Sequence, residues 1–189
     1  MSGRITAIDA VVSNPNIIYV GAASGGVWKT ENSGHTWNAV FDEQPIINIG
    51  AIAIQQSNPS VVWVGTGEGN PRNSINIGEG IYKTIDGGAS WKKMGLEKTR
   101  NIHRIILDPT NPNTVYAGAI GNPYAEHPER GVFKTTDGGF CADYAGTSNE
   151  KIRGTINARP PRLHQYAVTI LRNDVDNDIG ESARGIADP

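Results

Sequence analysis

Four glutamates lie in two stretches rich in glycine, proline and asparagine: TGEGNPRNSINIGEG (66–80) and AIGNPYAEHPERG (119–131). Two carboxyls a few ångströms apart across a glycosidic bond make a hydrolase, one as acid and the other as base or nucleophile. Glu68, Glu79, Glu126 and Glu129 are conceivable members of such a pair, but their spacing selects no two of them, so the catalytic residues stay unknown. The same stretches carry groups that bind rather than react. Glu68, Asn70, Arg72, Asn73 and Glu79 lie in the first; Asn122, Tyr124, Glu126, His127, Glu129 and Arg130 lie in the second. Loops on a rigid scaffold are where binding groups gather. Their plain alternative is two solvated hairpin loops with ordinary surface charges.

Other chemistry is weaker. The GxG of GTGEG opens no helix and lacks the dinucleotide spacing. His35, His103 and His164 show no metal-ligand spacing. Asp174, Asp176 and Asp178 alternate as calcium-loop ligands do, but the glycine falls at 180 and position 185 is Gly where an acid is needed. A solvated acidic turn is the better reading there, and no metal or cofactor is expected. Asp86 and Asp137 repeat, which invites a catalytic role, yet their distance to the neighbouring glycines is what a turn requires.

The elements that must hold these groups are repeats. Three stretches align: 5–37, 49–91 and 102–139. Asn-Pro prolines fall at 15, 59 and 112 and the threonines of a common phrase at 30, 84 and 135, a period of about 44–54 residues. Each copy has an alternating run, an Asn-Pro turn, a β-branched and aromatic run (IIYVG, VVWVG, TVYAG), a loop of variable length and a short run (GVWKT, GIYKT, GVFKT). Copies one and two then add TWNAVF and SWKKM. Four short antiparallel strands per unit are the mark of propeller blades. A helical solenoid needs a 3.6-residue apolar period, which these runs lack. The chain is therefore expected to be all-β: about three four-stranded blades at 5–42, 49–96 and 102–139 within residues 1–139.

The phrase Ser/Thr-x-Asp/Asn-x-Gly-x-x-Trp joins the third strand to the fourth. Asn32 and Asp86 can accept from backbone amides just downstream, Gly34 and Gly88 supply positive φ, and Trp37 and Trp91 open the fourth strand. Thr30 and Thr84 add a hydroxyl, and the phrase reads as a self-contained folding device. The third copy begins with Thr135, Asp137 and Gly139 and then breaks: position 142 is Ala. No blade pattern follows. Residues 140–189 read as an irregular tail, disordered or out of frame.

TENSGHTW and TIDGGASW resemble the Asp-box, or BNR repeat. Residues 2–139 are similar to BNR-repeat β-propellers, the sortilin-like and bacterial secreted proteins, some labelled glycosyl hydrolases. Residues 2–37 especially resemble the opening blade of the bacterial secreted members. The resemblance implies boxes on the outer part of a propeller, an extracellular or periplasmic setting, and a protein or carbohydrate ligand. Sialidases of this fold use an arginine cluster, a tyrosine nucleophile and an Arg-Ile-Pro element, and no such element occurs here. Arg4, at the start of the first strand, could reach a central pocket, and its plain alternative is a surface or packing residue.

Bulk properties narrow the partners. Lys+Arg 17 against Asp+Glu 19 leaves a net charge of −2, which gives no electrostatic reason to expect nucleic acid. No apolar run is long enough to cross a bilayer, and the N-terminus shows no signal peptide. The lone Cys141 excludes an internal disulfide framework. Three blades fall short of the about four to eight that close a propeller, so further blades are expected from a longer chain or a partner. The reading is a non-catalytic binding or scaffold module acting through the 66–80 and 119–131 loops. The alternative is a fragment of a secreted glycoside hydrolase, sialidase- or xyloglucanase-like, whose catalytic groups lie mostly elsewhere.

Overall fold

Each β-branched run is held at its turns by asparagine. In all three copies the Asn before proline accepts from the backbone two residues on: Asn14 from Asn16, Asn58 from Ser60, Asn111 from Asn113, at 3.2–3.4 Å. Such side-chain-to-backbone bonds close a turn, and Pro cannot continue a strand through it. The computed structural model describes residues 3–70, 75–125 and 127–139, and the backbone of 143–144.

These residues form three four-stranded antiparallel sheets. The first holds β1 (Ile5–Ala10), β2 (Ile18–Ala22), β3 (Val27–Thr30) and β4 (Asn38–Ala39). The second holds β5 (Ile49–Ile54), β6 (Val62–Thr66), β7 (Ile81–Thr84) and β8 (Lys92–Gly95). A short 3₁₀ turn, Glu97–Thr99, leads to the third: β9 (Ile102–Leu107), β10 (Val115–Ala119), β11 (Gly131–Thr135) and β12 (Asp143–Tyr144). No α-helix occurs among the described residues. Within each sheet the strands run in chain order, and β1 lies against β5 and β5 against β9. These are the blades of an incomplete propeller, with the first strand of each blade innermost. The third blade continues past Gly139: β12 pairs with β11 through Phe133↔Tyr144 and Lys134↔Asp143. Its fourth strand thus forms from residues without the TW or SW opening, because a ladder needs only backbone groups in register.

The core lies between blades. Tyr19, Val27 and Phe41 of the first pack with Ile52, Ile54, Val62, Val64 and Tyr82 of the second. Trp63, Ala51, Ala53 and Ile81 of the second pack with Ile102, Ile105, Val115, Ala117 and Phe133 of the third. The cross-strand row Ile52–Val64–Tyr82 is covered by blade one, whereas its counterpart in blade one, Ile8–Val20–Trp28, leaves Ile8 68% exposed.

The repeated turn is more than self-contained. Its inner bonds are as the residue types require. The Thr84 hydroxyl donates to Asp86 (2.6 Å) and accepts from Gly88 N (3.0 Å), and Asp86 accepts from the Ser90 amide (2.9 Å) and hydroxyl. Thr30–Asn32–Gly34 and Thr135–Asp137–Gly139 repeat the pattern. Gly88 has φ 99°, which a Cβ would strain. But the previous blade also grips the turn. Tyr19 Oη donates to Gly87 O (3.0 Å) and Lys83 Nζ to Gly138 O (3.1 Å), with Lys29 over the Tyr19 ring and Lys83 over Trp63. Trp91 Nε1 donates to Val40 O (2.6 Å), and its ring stands edge-on to Phe41 of blade one. A pattern within one repeat cannot reveal contacts its neighbour makes.

The turn makes one pH prediction. Hydrogen bonds from Ser90, then from Thr84, hold the Asp86 carboxyl far below the usual carboxylate range. A group whose folded pKa is depressed stabilises above its unfolded pKa, and that contribution fades as pH falls through the folded value. Asp86→Asn is expected to fold, because Asn32 fills the same place in blade one. Thermal melts of both proteins should show a wild-type advantage above about pH 4 that shrinks towards pH 2. A melting difference that stays constant across this range rules the linkage out.

Candidate functional site

One end of the blades collects the starts of the inner strands and the loops that follow the second strands. Every inner strand carries a one-residue bulge there. Thr6, Gly50 and His103 are the extra residues, each skipped in the register with its neighbour. A bulge re-aims the strand. In blade one the bulged Thr6 hydroxyl is 3.1 Å from Gly21 O and 2.6 Å from Ile49 O, which joins it to blade two. In blade three the His103 ring lies against Gly69 of the preceding blade's loop.

Asn101 ties this end together. Its Nδ2 donates to Glu68 O (2.6 Å) and Asn76 O (3.0 Å), and its own carbonyl accepts from Ile120 N (2.9 Å). Arg100 O accepts from Gly78 N (2.8 Å). One dipeptide before β9 thereby joins the loop after β6 to the loop after β10. Asn48 plays the matching part before β5: its carbonyl accepts from Gly67 N and its Nδ2 donates to Ile77 O. Sequence inspection missed both asparagines. The available signal was their shared place, immediately before Ile49 and Ile102 at the head of an inner strand.

The candidate residues divide. Glu68 is buried, 1% exposed, and pairs through Oε1 with Arg4 Nη2. Arg4 is half-exposed, and its carbonyl accepts from Ala23 N. The inner strand start and the β6–β7 loop thus meet, and a carboxylate with so little water is stabilised by its cation. Glu79 turns the other way, to Lys93 of β8 at 3.1 Å. Asn70 is partly buried. Arg130 staples its own loop, donating to Ile120 O, Asn122 O and Ala125 O. Tyr124 stands 62% exposed, and Ile5, Ile47 and Ile77 are the other exposed large apolar side chains at this end among the described residues. His127 packs on Gly121. Burial, reinforced by the nearby Arg100 and Arg130, pushes its pKa below the ordinary histidine value, with Glu129 opposing. Arg72, Asn73, Glu126, Cys141, His164, Asp174, Asp176 and Asp178 lie outside the described residues.

No group of three His, Cys, Asp or Glu side chains is placed to hold a metal ion among the described residues. No helix among them is long and apolar enough to cross a membrane. A small apolar cavity lined by Trp63, Ile81, Met94, Val115 and Phe133 sits in the packing between blades two and three, away from the polar end.

No family model matches the chain, and no curated protein matches it. Solved structures do. An ancestral GH74 enzyme superposes with a TM-score of 0.62 at 23% identity, covering 78% of this chain and 19% of that one. YCF48 bound to D1 peptide gives 0.52 at 13%, covering 75% and 40%. A nidogen/laminin complex gives 0.53 at 12%, covering 74% and 47%. The chain thus spans about a fifth of the length of the GH74 enzyme and under half of the others. The shared feature is the β-propeller fold.

Proposed function

We propose that these blades belong to a non-catalytic propeller module that takes a protein or carbohydrate ligand on the polar end described above, in an extracellular or periplasmic setting. One observation carries the reading. The two carboxylates of the β6–β7 loop are engaged by separate cations, Glu68 by the inner Arg4 and Glu79 by the outer Lys93, while Ile47, Ile77 and Tyr124 stand exposed at the same end. Carboxyls neutralised apart from each other do not make an acid–base pair. Exposed apolar side chains among fixed polar groups make a contact surface. Similar folds occur in the complexes of YCF48 with D1 peptide and of nidogen with laminin.

The second reading is a part of a glycoside hydrolase with its acid–base groups mostly outside this chain. The GH74 superposition favours it. A panel of peptides and oligosaccharides, read for both binding and hydrolysis, separates the two. The binding reading expects a ligand whose affinity falls by about tenfold or more in Tyr124→Ala combined with Ile77→Ser, with no turnover. Hydrolysis by this chain that disappears in Glu79→Gln sinks it.

A further inference from the structure

Arg100, Asn101 and His127 share a feature the loops alone do not explain. Arg100 Nε, Asn101 Oδ1 and His127 Nδ1 are each buried without a hydrogen-bond partner among the described residues. Buried polar atoms are paired in the great majority of cases, and groups left over call for a reason. These three belong to one place. Asn101 bonds Ile120, Gly121 follows, and the His127 ring rests on Gly121. Arg100 also has φ 62° and ψ −66°, a sparsely populated combination for a residue with a side chain. Strain of this kind gathers where binding fixes the geometry.

The local charge is positive. Glu68 is already paired with Arg4 and Glu79 with Lys93, and Arg100 enters no ion pair among the described residues. The charged groups that act on His127 are Arg100 from the segment before β9, and Arg130 and Glu129 from its own loop.

We propose that this junction is a receptor for a peptide carboxylate, a reading that rests on the loop face being a binding surface. The Arg100 Nε–H and a ring N–H of His127 donate to the carboxylate oxygens, charge-assisted bonds of the strong kind. Asn101 Oδ1 accepts the amide N–H next to that carboxylate. Donors and acceptor together match a carboxylate adjoining an amide better than a neutral sugar, which offers no charge to a guanidinium. Bound anion also stabilises the imidazolium, so binding takes up a proton. Affinity accordingly rises as pH falls, until His127 of the free protein is itself protonated.

The test is the ring-proton NMR titration of His127 in the full chain with N-acetyl-triglycine. The probe is expected to raise the His127 midpoint saturably, by about half a pH unit or more. N-acetyl-triglycinamide and glucose should leave it unmoved. Arg100→Gly is the decisive variant, because glycine accepts φ 62°. It should melt no lower than the wild type while losing at least about tenfold in probe affinity. Arg100→Gln, which keeps a side chain, should lose the same response.

A midpoint unmoved by tens of millimolar probe overturns the receptor. So does an equal response to the amide, or a response that survives both variants. An equal response to glucuronate overturns the peptide assignment. A panel ligand whose binding survives Arg100→Gly sinks the receptor and leaves the loop-face reading intact. A panel without any ligand, beside a probe that still titrates His127, sinks only the broader reading.

Discussion

Gly50→Ala is expected to cost at least about 3 kcal/mol in chemical denaturation, at or beyond the upper end of ordinary overpacking. Gly50 is the bulged residue of β5, the inner strand of the middle blade. A Cβ there would lie on two backbone oxygens, Gly67 O from its own blade's loop and Ile102 O from β9, well inside van der Waals contact. Neither is the end of a flexible side chain. Gly67 N bonds Asn48 O, and Ile102 is the fully buried head of β9. Relief requires moving blade three away from blade two, and that opens the interface formed by Ile102, Ile105, Trp63 and Phe133. A loss below about 1 kcal/mol, the size of ordinary point mutations, would falsify the argument that backbone approach sets the blade spacing.

Trp63→Ala is expected to destabilise by about 3–5 kcal/mol, the range of large-to-small changes at fully buried aromatics. Trp63 is 1% exposed. Its ring lies 4.6 Å beneath Lys83 Nζ, and the same ring closes the space beside Gly139. The substitution therefore removes core volume, a cation–π contact and the shelf for the following blade's turn at once. Trp28→Ala is the control. Trp28 is partly buried on the uncovered side of blade one, and its Nε1 donates to Gly25 O of its own loop. That change should cost about 1 kcal/mol, like a typical single substitution. Equal losses in the two variants would show that blade contacts contribute little. Amide exchange in β9–β11 should accelerate in Trp63→Ala and stay near wild type in Trp28→Ala, since local openings follow the contacts that hold a unit.

These two substitutions mark where reading the chain by eye reaches its limit. Trp63 sits in VVWVG, a run that any strand pattern selects, and its partner Lys83 sits in the equally regular IYKT. That the two form a clasp on the next blade's Gly138 depends on how blades stack. Gly50 stands in IGAIAI, where a glycine within a strand signals only a bulge or a close approach. Which backbone comes close is a matter of the neighbouring blade. The polar end divides in the same way. The long loops after β6 and β10 were visible from their lengths, and the end they share from strand parity. The Arg4–Glu68 pair joins residues 64 positions apart, and the Asn101 bonds to Glu68 and Asn76 cross from one blade to the next.

The amino-acid sequence by itself determined the repeat, the four-strand blade, the Asn-Pro turns and the internal bonds of the threonine–acid–glycine turn. All of these are short-range: residues within a few positions of one another either can or cannot close a turn, and alternation decides which side of a strand is apolar. Only the tertiary structure decided that the repeated turn clamps two blades, that Glu68 is buried against Arg4 while Glu79 faces Lys93, and that the Arg100–Asn101 segment bonds the loop that carries His127. Those outcomes depend on the distance between consecutive sheets. That distance is set by bulges and by side-chain volumes from two blades together, which no single repeat encodes.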